Sequence, residues 1–192
     1  MTHNVIYLIK WGIWLLLICF TTKTIAQSAF VENKGQWNKQ IRFRYTLPIG
    51  SLFAENNGIT YNLVNTNDIK ISKAHHAYQN PNIPKCIRFH AYKMSFVNAN
   101  HVIPKAEEPY SDYENFYIGN DPSRWVSKAQ RYRKIIWNNI YENIDYVLYI
   151  NDRQSLQYDF IVNPGGIAEN IRLKYEGQDT LMIDKSGKVV II

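Results

Sequence analysis

Hydrophobic and polar positions alternate with a period of two through most of the chain beyond residue 40. Ile41, Phe43, Tyr45 and Leu47 fall on one face of a strand and Arg42, Arg44 and Thr46 on the other. Pro48 and Gly50 close that strand. Residues 51–54 and 59–64 flank Asn57-Gly58, a strong short-range hairpin signal. Residues 87–97 predict a further strand, with Ile87, Phe89 and Ala91 alternating, and residues 113–118 and 132–137 predict shorter aromatic ones. The pattern is clearest in the last third. Ile144, Tyr146, Leu148 and Ile150 alternate with Asp145, Val147 and Tyr149. After a turn at Asn151-Asp152, Leu156, Tyr158, Phe160 and Val162 alternate with Gln157, Asp159 and Ile161. Ile171, Leu173 and Tyr175 form a short strand, and residues 181–183 and 188–192 a last hairpin about Ser186-Gly187.

Two stretches lack this period. Residues 65–85 are polar, contain His75, His76, Pro81 and Pro84, and predict a loop or irregular insertion. Residues 98–109, which include Glu107 and Glu108, predict a turn and linker. Asp121 followed by Pro122 is a helix-start signal, so one helical turn is expected through Trp125. Short strands separated by turn signals predict an all-β, mainly antiparallel, sandwich-like fold with at most one or two short helical turns. No internal repeat is visible. The sequence runs out at Val189-Val190-Ile191-Ile192, inside a strand pattern. Strand edges are ordinarily paired or guarded, so the domain is expected to be C-terminally incomplete, a fragment or the first piece of a longer protein.

The N-terminus predicts a secretory signal peptide over residues 1–26. Lys10 supplies the positive region, residues 11–20 the apolar core, and Thr24 and Ala26 a small-residue cleavage site before Gln27. An uncleaved anchor would need roughly 18 apolar residues, and Lys10 interrupts the run. A lipoprotein reading through Cys19 meets Ile18 where a small residue is wanted. Cleavage leaves residues 27–192 as one β-rich domain with no stable transmembrane span, secreted or on the cell surface, with the periplasm as an alternative.

Composition narrows the class further. Of 192 residues, 46% are hydrophobic and 20% charged, which excludes a disordered chain. A mean hydropathy of −0.33 excludes a multispanning membrane protein. Fourteen tyrosines lean towards β-structure. Cleavage would leave Cys86 as the single cysteine, so no internal disulfide can form, and its place before a strand predicts a buried thiol.

Candidate chemistry is sparse. Glu107 with Glu108, or Asp145 with Asp159, could supply carboxylates for hydrolysis, but no spacing in a β-fold fixes their separation. His75, His76, His90 and His101 are not spaced as zinc ligands. Asn120, Asp121, Asn151 and Asp152 offer loop oxygens of the kind calcium takes, without an EF-hand pattern. Arg124, Lys128, Arg131, Arg133 and Lys134 are interleaved with Trp125, Tyr132 and Trp137. Charge with stacking suits nucleic acid, which export disfavours; an acidic polysaccharide or a lipid headgroup fits better. A solvated face over core aromatics is the plain alternative. No catalytic residue, metal or cofactor is assigned.

Four stretches carry a resemblance: Phe30-Val-Glu-Asn-Lys-Gly-Gln-Trp37, Asn115-Phe-Tyr-Ile-Gly-Asn-Asp-Pro-Ser-Arg-Trp125, Tyr141-Glu-Asn-Ile-Asp145 and Tyr158-Asp-Phe-Ile-Val-Asn-Pro-Gly165. In this order they resemble the N-terminal domain of unknown function of large exported proteins, mainly from the Bacteroidota. The resemblance covers nearly all of residues 29–192, although residues 65–85 match no part of it. It implies a place ahead of SBBP-type β-propeller repeats or immunoglobulin-like modules, and a link to gliding-motility-associated and type IX secretion sorting domains. It carries no catalytic residues. Asp179-Thr180-Leu181 is similar to the short O-glycosylation acceptor of the same bacteria, with Thr180 as the modified residue.

Physically the motif residues read as structural. Gly35 and Gly119 suit positive φ, Asn120, Asp121 and Pro122 suit a turn, and Trp37 and Trp125 are apolar anchors. The rest of the set is Glu32, Asn33, Asp145, Tyr158, Asp159, Pro164 and Gly165. The expected function is a non-enzymatic exported structural or interaction module, the N-terminal domain of a larger cell-surface or secreted protein. Its expected partners are downstream modules, a polysaccharide or the outer-membrane surface, and not nucleic acid. A carbohydrate-binding module using exposed aromatics is the alternative, with Arg124, Trp125, Lys128, Arg131 and Trp137 as its surface. A glycan or peptide hydrolase is a second one.

Overall fold

The computed structural model describes residues 27–72 and 86–191. The expected signal peptide, residues 1–26, the residues His75, His76, Pro81 and Pro84 of the expected insertion, and Ile192 lie outside the described residues. Among the described residues twelve strands run in chain order: β1 Phe30–Glu32, β2 Ile41–Leu47, β3 Gly50–Glu55, β4 Gly58–Val64, β5 Phe89–Phe96, β6 Lys105–Phe116, β7 Val126–Tyr141, β8 Ile144–Ile150, β9 Leu156–Val162, β10 Leu173–Glu176, β11 Leu181–Ile183 and β12 Val189–Ile191. Among the described residues an α-helix, α1, spans Thr66–Ser72, and 3-10 turns lie at Pro122–Arg124 and Ala168–Asn170. The class is mainly antiparallel β, as the alternation predicts.

Hydrogen bonding follows the path β10-β5-β4-β3-β2-β1-β7-β8-β9, with β6 also on β7; β11 and β12 form their own hairpin. The long β7 is the corner. Ile135 pairs with Ala106 of β6 and with Leu148 of β8, while Tyr132 pairs with Pro109 of β6 and with Phe30 of β1. A residue in a ladder has two edges, so β6 occupies one edge of β7, and β1 and β8 share the other. The first part of β7 thus extends one layer and the second part the facing layer. Positive φ at Lys128 and Asn139 accompanies register shifts on β7, the bulges that let a strand turn such a corner.

The layers meet in one core. Phe30, Phe43, Tyr45, Leu52, Ile59, Met94 and Phe96 face Ile135, Trp137, Ile140, Ile144, Tyr146 and Leu148. Trp137 sits at its centre, with no exposure, against Phe96 at 6.0 Å and Tyr146 at 5.3 Å between ring centroids. Its indole N–H donates to the carbonyls of Glu55 at 2.9 Å and Asn56 at 3.1 Å. Burying about 200 Å² of indole at ~25 cal/mol per Å² is worth roughly 5 kcal/mol before entropy.

Several expectations are corrected. Residues 65–85 do not begin as a loop: α1 opens there, because Asn65 caps it, accepting from the N–H of Asn67 at 3.0 Å and of Asp68 at 3.4 Å. The expected linker 98–109 gives way to strand at Lys105. Cross-strand pairing with β7 overrides local polarity there, and Glu107 is ion-paired to its partner Lys134 at 2.7 Å. Pro109 is tolerated because β6 is an outer strand, paired in the ladders only to β7. In β5 the inward residues are Tyr92, Met94 and Phe96, one step out of phase with Ile87, Phe89 and Ala91; Phe89 is 61% exposed. The hairpin expected about Asn57-Gly58 turns at Asn56-Asn57, with Gly58 already paired to Glu55. Gly58 is needed for close approach: a Cβ there would lie 2.2 Å from the Met94 carbonyl oxygen of β5. Cys86 is exposed rather than buried, because it precedes the paired part of β5.

Candidate functional site

The first motif forms a clamp after β1. The Asn33 carboxamide oxygen accepts from the N–H groups of Gly35 at 3.0 Å and Trp37 at 3.2 Å. Its amide nitrogen donates to the carbonyls of Ile41 at 2.8 Å, Asn38 at 2.9 Å and Trp37 at 3.3 Å. Gly35 at φ 116° makes the tight loop feasible. The Glu32 carboxylate accepts the N–H of Gln130 at 2.9 Å, fastening β1 to β7. Trp37 lies between Phe53 and Phe116, with the Arg44 guanidinium 5.6 Å over its ring.

The second motif organises the β6–β7 turn. Asn115 accepts the N–H of Lys128 at 2.9 Å, at the bulge where Lys128 has φ 55°. Asp121 caps the 3-10 turn, accepting from the N–H of Ser123 at 3.0 Å and its hydroxyl at 2.7 Å, which holds its carboxyl below the usual range. Pro122 opens that turn, and Asn120 stands exposed beside it. Gly119, at φ 78°, offers its carbonyl to the Trp125 indole at 3.2 Å. Lys34 ties the first motif to the second through the carbonyls of Ser127 at 3.3 Å and Lys128 at 3.4 Å.

The last two motifs meet at the second bulge of β7. Asp145 accepts from the N–H of Asn139 at 2.6 Å and the side chain of Asn163 at 3.1 Å. Asn139 in turn accepts the N–H of Asn143 at 2.8 Å. Pro164 and Gly165 fill a turn closed by the Gly166 N–H on Asn163, and Gly165 has φ 90°. Asp159 lies on the outer face of β9 beside Tyr149, whose phenol it pushes up. Tyr158 is 59% exposed.

The basic run does not gather into one free surface. Trp137 is in the core and cannot line it. Arg131 is engaged by Asp112 and by Glu114 at 3.6 Å, under the ring of Tyr110 at 5.3 Å. Arg133 pairs with Asp152 at 3.2 Å. Arg124, Trp125 and Lys128 are exposed, and Tyr117 lies 5.6 Å from Trp125. Thr180 is exposed between β10 and β11. Among the described residues no group of three or more His, Cys, Asp or Glu side chains is placed to hold a metal ion. The Asn151 oxygen is taken by the N–H groups of Arg153 and Ser155. No described helix is long and apolar enough to cross a membrane.

Two open polar cavities are shaped on the surface. One of about 390 Å³ is lined by Asn98, Asn100, Tyr141, Glu142, Asn170 and Arg172. Another of about 310 Å³ is lined by Gln40, Asn56, Asn57 and His101 beside the Glu55–Lys93 ion pair, which closes at 2.6 Å.

Sequence reasoning passed over a cluster of tyrosines on the inner faces near the ends of the sheet path. Tyr61 stacks on Tyr92 at 4.7 Å, and Tyr146 lies 5.8 Å from Tyr158. Burial pushes the phenols of Tyr61, Tyr92, Tyr146 and Tyr175 above their ordinary range, each reinforced by other tyrosines of the group. A tyrosine on the inward phase of each of β4, β5, β8, β9 and β10 is the signal, and it is visible only once strand order is known.

A family described as Domain of unknown function (DUF7948) matches residues 30–192. No curated protein and no solved structure matches the chain.

Proposed function

The chain belongs to this family of unknown function, and from that premise we propose that it is a non-enzymatic, exported structural or interaction module. In this reading it is the N-terminal domain of a larger cell-surface or secreted protein of the kind the Bacteroidota export, partnered by modules downstream. One observation carries the reading: the polar motif side chains Glu32, Asn33, Asn115, Asp121 and Asp145 each accept hydrogen bonds from the chain's own backbone. Groups held in this way fasten turns and bulges, which is a structural use that needs no substrate. The signal-peptide pattern of residues 1–26 supports export. Purified exported protein, incubated with panels of glycans and peptides, is expected to turn over none; specific turnover overturns the reading.

A second reading, carbohydrate binding through exposed aromatics, is favoured by Trp125, which is 43% exposed beside Tyr117 at 60%. Indole and phenol faces of this kind stack on sugar rings. Glycan-array binding lost in Trp125→Ala supports it, and a blank array removes it.

A further inference from the structure

The β6–β7 hairpin ends in an apolar tip. The β1 ladder on β7 reaches Arg131, whereas the β6 ladder runs on to Phe116–Val126, and residues 117–125 close the loop beyond it. Within that loop Tyr117 is 60% exposed, Ile118 73% and Trp125 43%. Tyr117 and Trp125 meet edge to face. Single exposed apolar residues are ordinary, but a group of them at one place marks an interaction surface.

The loop is built to hold these side chains out. Asp121 caps the 3-10 turn through Ser123, and the N–H groups of Arg124 and Trp125 close on the carbonyls of Asp121 and Pro122, each at 3.1 Å. The Trp125 indole N–H donates to the Gly119 carbonyl, so the ring is presented with its one polar atom already satisfied. A tip ordered before it meets its partner loses less freedom on binding.

Charge and shape select the partner. Lys34, Arg124 and Lys128 are exposed in the tip or at its base, and among the described residues none of them forms an ion pair. The loop's own carboxylate, Asp121, is taken by Ser123, and nearby Glu114 faces Arg131. Three free cations therefore surround the apolar side chains, and an anionic partner complements them. Small-molecule sites are concave, and neither cavity described above includes a residue of this tip. A lipid interface is soft enough to close around a protruding loop. Trp and Tyr settle there at headgroup depth, aliphatic side chains go deeper, and long cationic ones reach back to the phosphates.

We propose that the β6–β7 tip docks the protein on an anionic lipid surface, with Tyr117, Ile118 and Trp125 entering the interface and Lys34, Arg124 and Lys128 facing its phosphates. This rests on the reading as an exported interaction module and names its partner, and it assigns Trp125 to lipid and not to sugar.

The test is sedimentation of the exported protein with vesicles of phosphatidylcholine mixed with phosphatidylglycerol, and with vesicles of phosphatidylcholine alone. The protein binds the mixed vesicles at least about tenfold more tightly, and added salt weakens that binding. Lipids brominated on their acyl chains quench its tryptophan emission, and Trp125→Phe removes the quenching. Ile118→Asp and Arg124→Gln change exposed side chains, so both variants are expected to fold; circular dichroism verifies this. Ile118→Asp weakens binding about tenfold or more, and Arg124→Gln about fivefold, as one cation near a charged membrane should. No binding to either vesicle, equal binding to both, or binding unchanged in Ile118→Asp overturns the proposal. A blank with vesicles beside Trp125-dependent binding of cellohexaose or laminarihexaose overturns it in favour of the carbohydrate reading. The module reading survives each of these failures, because it falls to substrate turnover, which this assay does not measure.

Discussion

Asn33→Ala tests directly whether the first motif holds the fold. Asn33 makes five hydrogen bonds within nine residues of itself, three of them partly buried. Its amide has two hydrogens for three carbonyls, so the 3.3 Å contact to Trp37 is shared and weak. Counting the stronger partly buried bonds, to Ile41 and from Trp37, at about 1–1.5 kcal/mol each, and the exposed ones at less, the variant loses about 2–4 kcal/mol. Asn33→Asp keeps the two accepted bonds but turns a carboxylate oxygen on the carbonyls of Ile41 and Asn38, so at neutral pH it loses at least as much as Asn33→Ala. Urea unfolding followed by circular dichroism and tryptophan fluorescence reads both, with an unchanged m-value showing that only stability moved. A loss under about 0.5 kcal/mol for Asn33→Ala would refute the clamp and reopen a ligand role for this motif.

The other expectations follow from single contacts. Trp137→Phe strips two carbonyls of their donor and leaves a gap in the core, costing about 2–4 kcal/mol by the same unfolding assay, whereas Trp125→Ala costs less than about 1 kcal/mol. Gly58→Ala drives a methyl into the Met94 carbonyl and costs about 1–3 kcal/mol, read as a lowered Tm. Asp68 is 2% exposed, and the side-chain hydrogen bonds from Arg88, then its backbone N–H, hold the carboxyl at about 2, below the ordinary 3.8. A depressed acid stabilises the fold above its unfolded value and ceases to as pH falls through its folded one. The advantage of the native protein over Asp68→Asn in unfolding midpoint therefore shrinks between about pH 4 and pH 2, and a constant difference across that window contradicts the pairing.

The strands with one polar face were legible in the sequence. β2 and β8 alternate because only one of their faces meets the core, as at Phe43 and Tyr45 or Tyr146 and Leu148. Only the end of β6, from Tyr113, was legible; its first part, residues 105–112, was hidden because most of those residues are exposed and their strand character comes from pairing with β7, which no local window contains. α1 carried a readable cap at Asn65, but its seven residues are too few to show a helical period. Trp125 and Trp137 sit in similar basic, aromatic surroundings along the chain. What separates them is non-local, since Phe96 and Tyr146 enclose Trp137 and a carbonyl six residues away holds Trp125. The phase of β5 was lost for the same reason: Phe89 is as apolar as Phe96, but only Phe96 has Trp137, Tyr146 and Phe160 around it. The tyrosine cluster needed the strand order of the whole sheet.

The account as a whole rests on an exported module, and the most direct measurement is the N-terminal sequence and intact mass of the native protein from fractionated cells. The account predicts a chain that begins at Gln27 and is recovered from the envelope or the medium. A chain that retains Met1 and stays in the cytoplasm would contradict it.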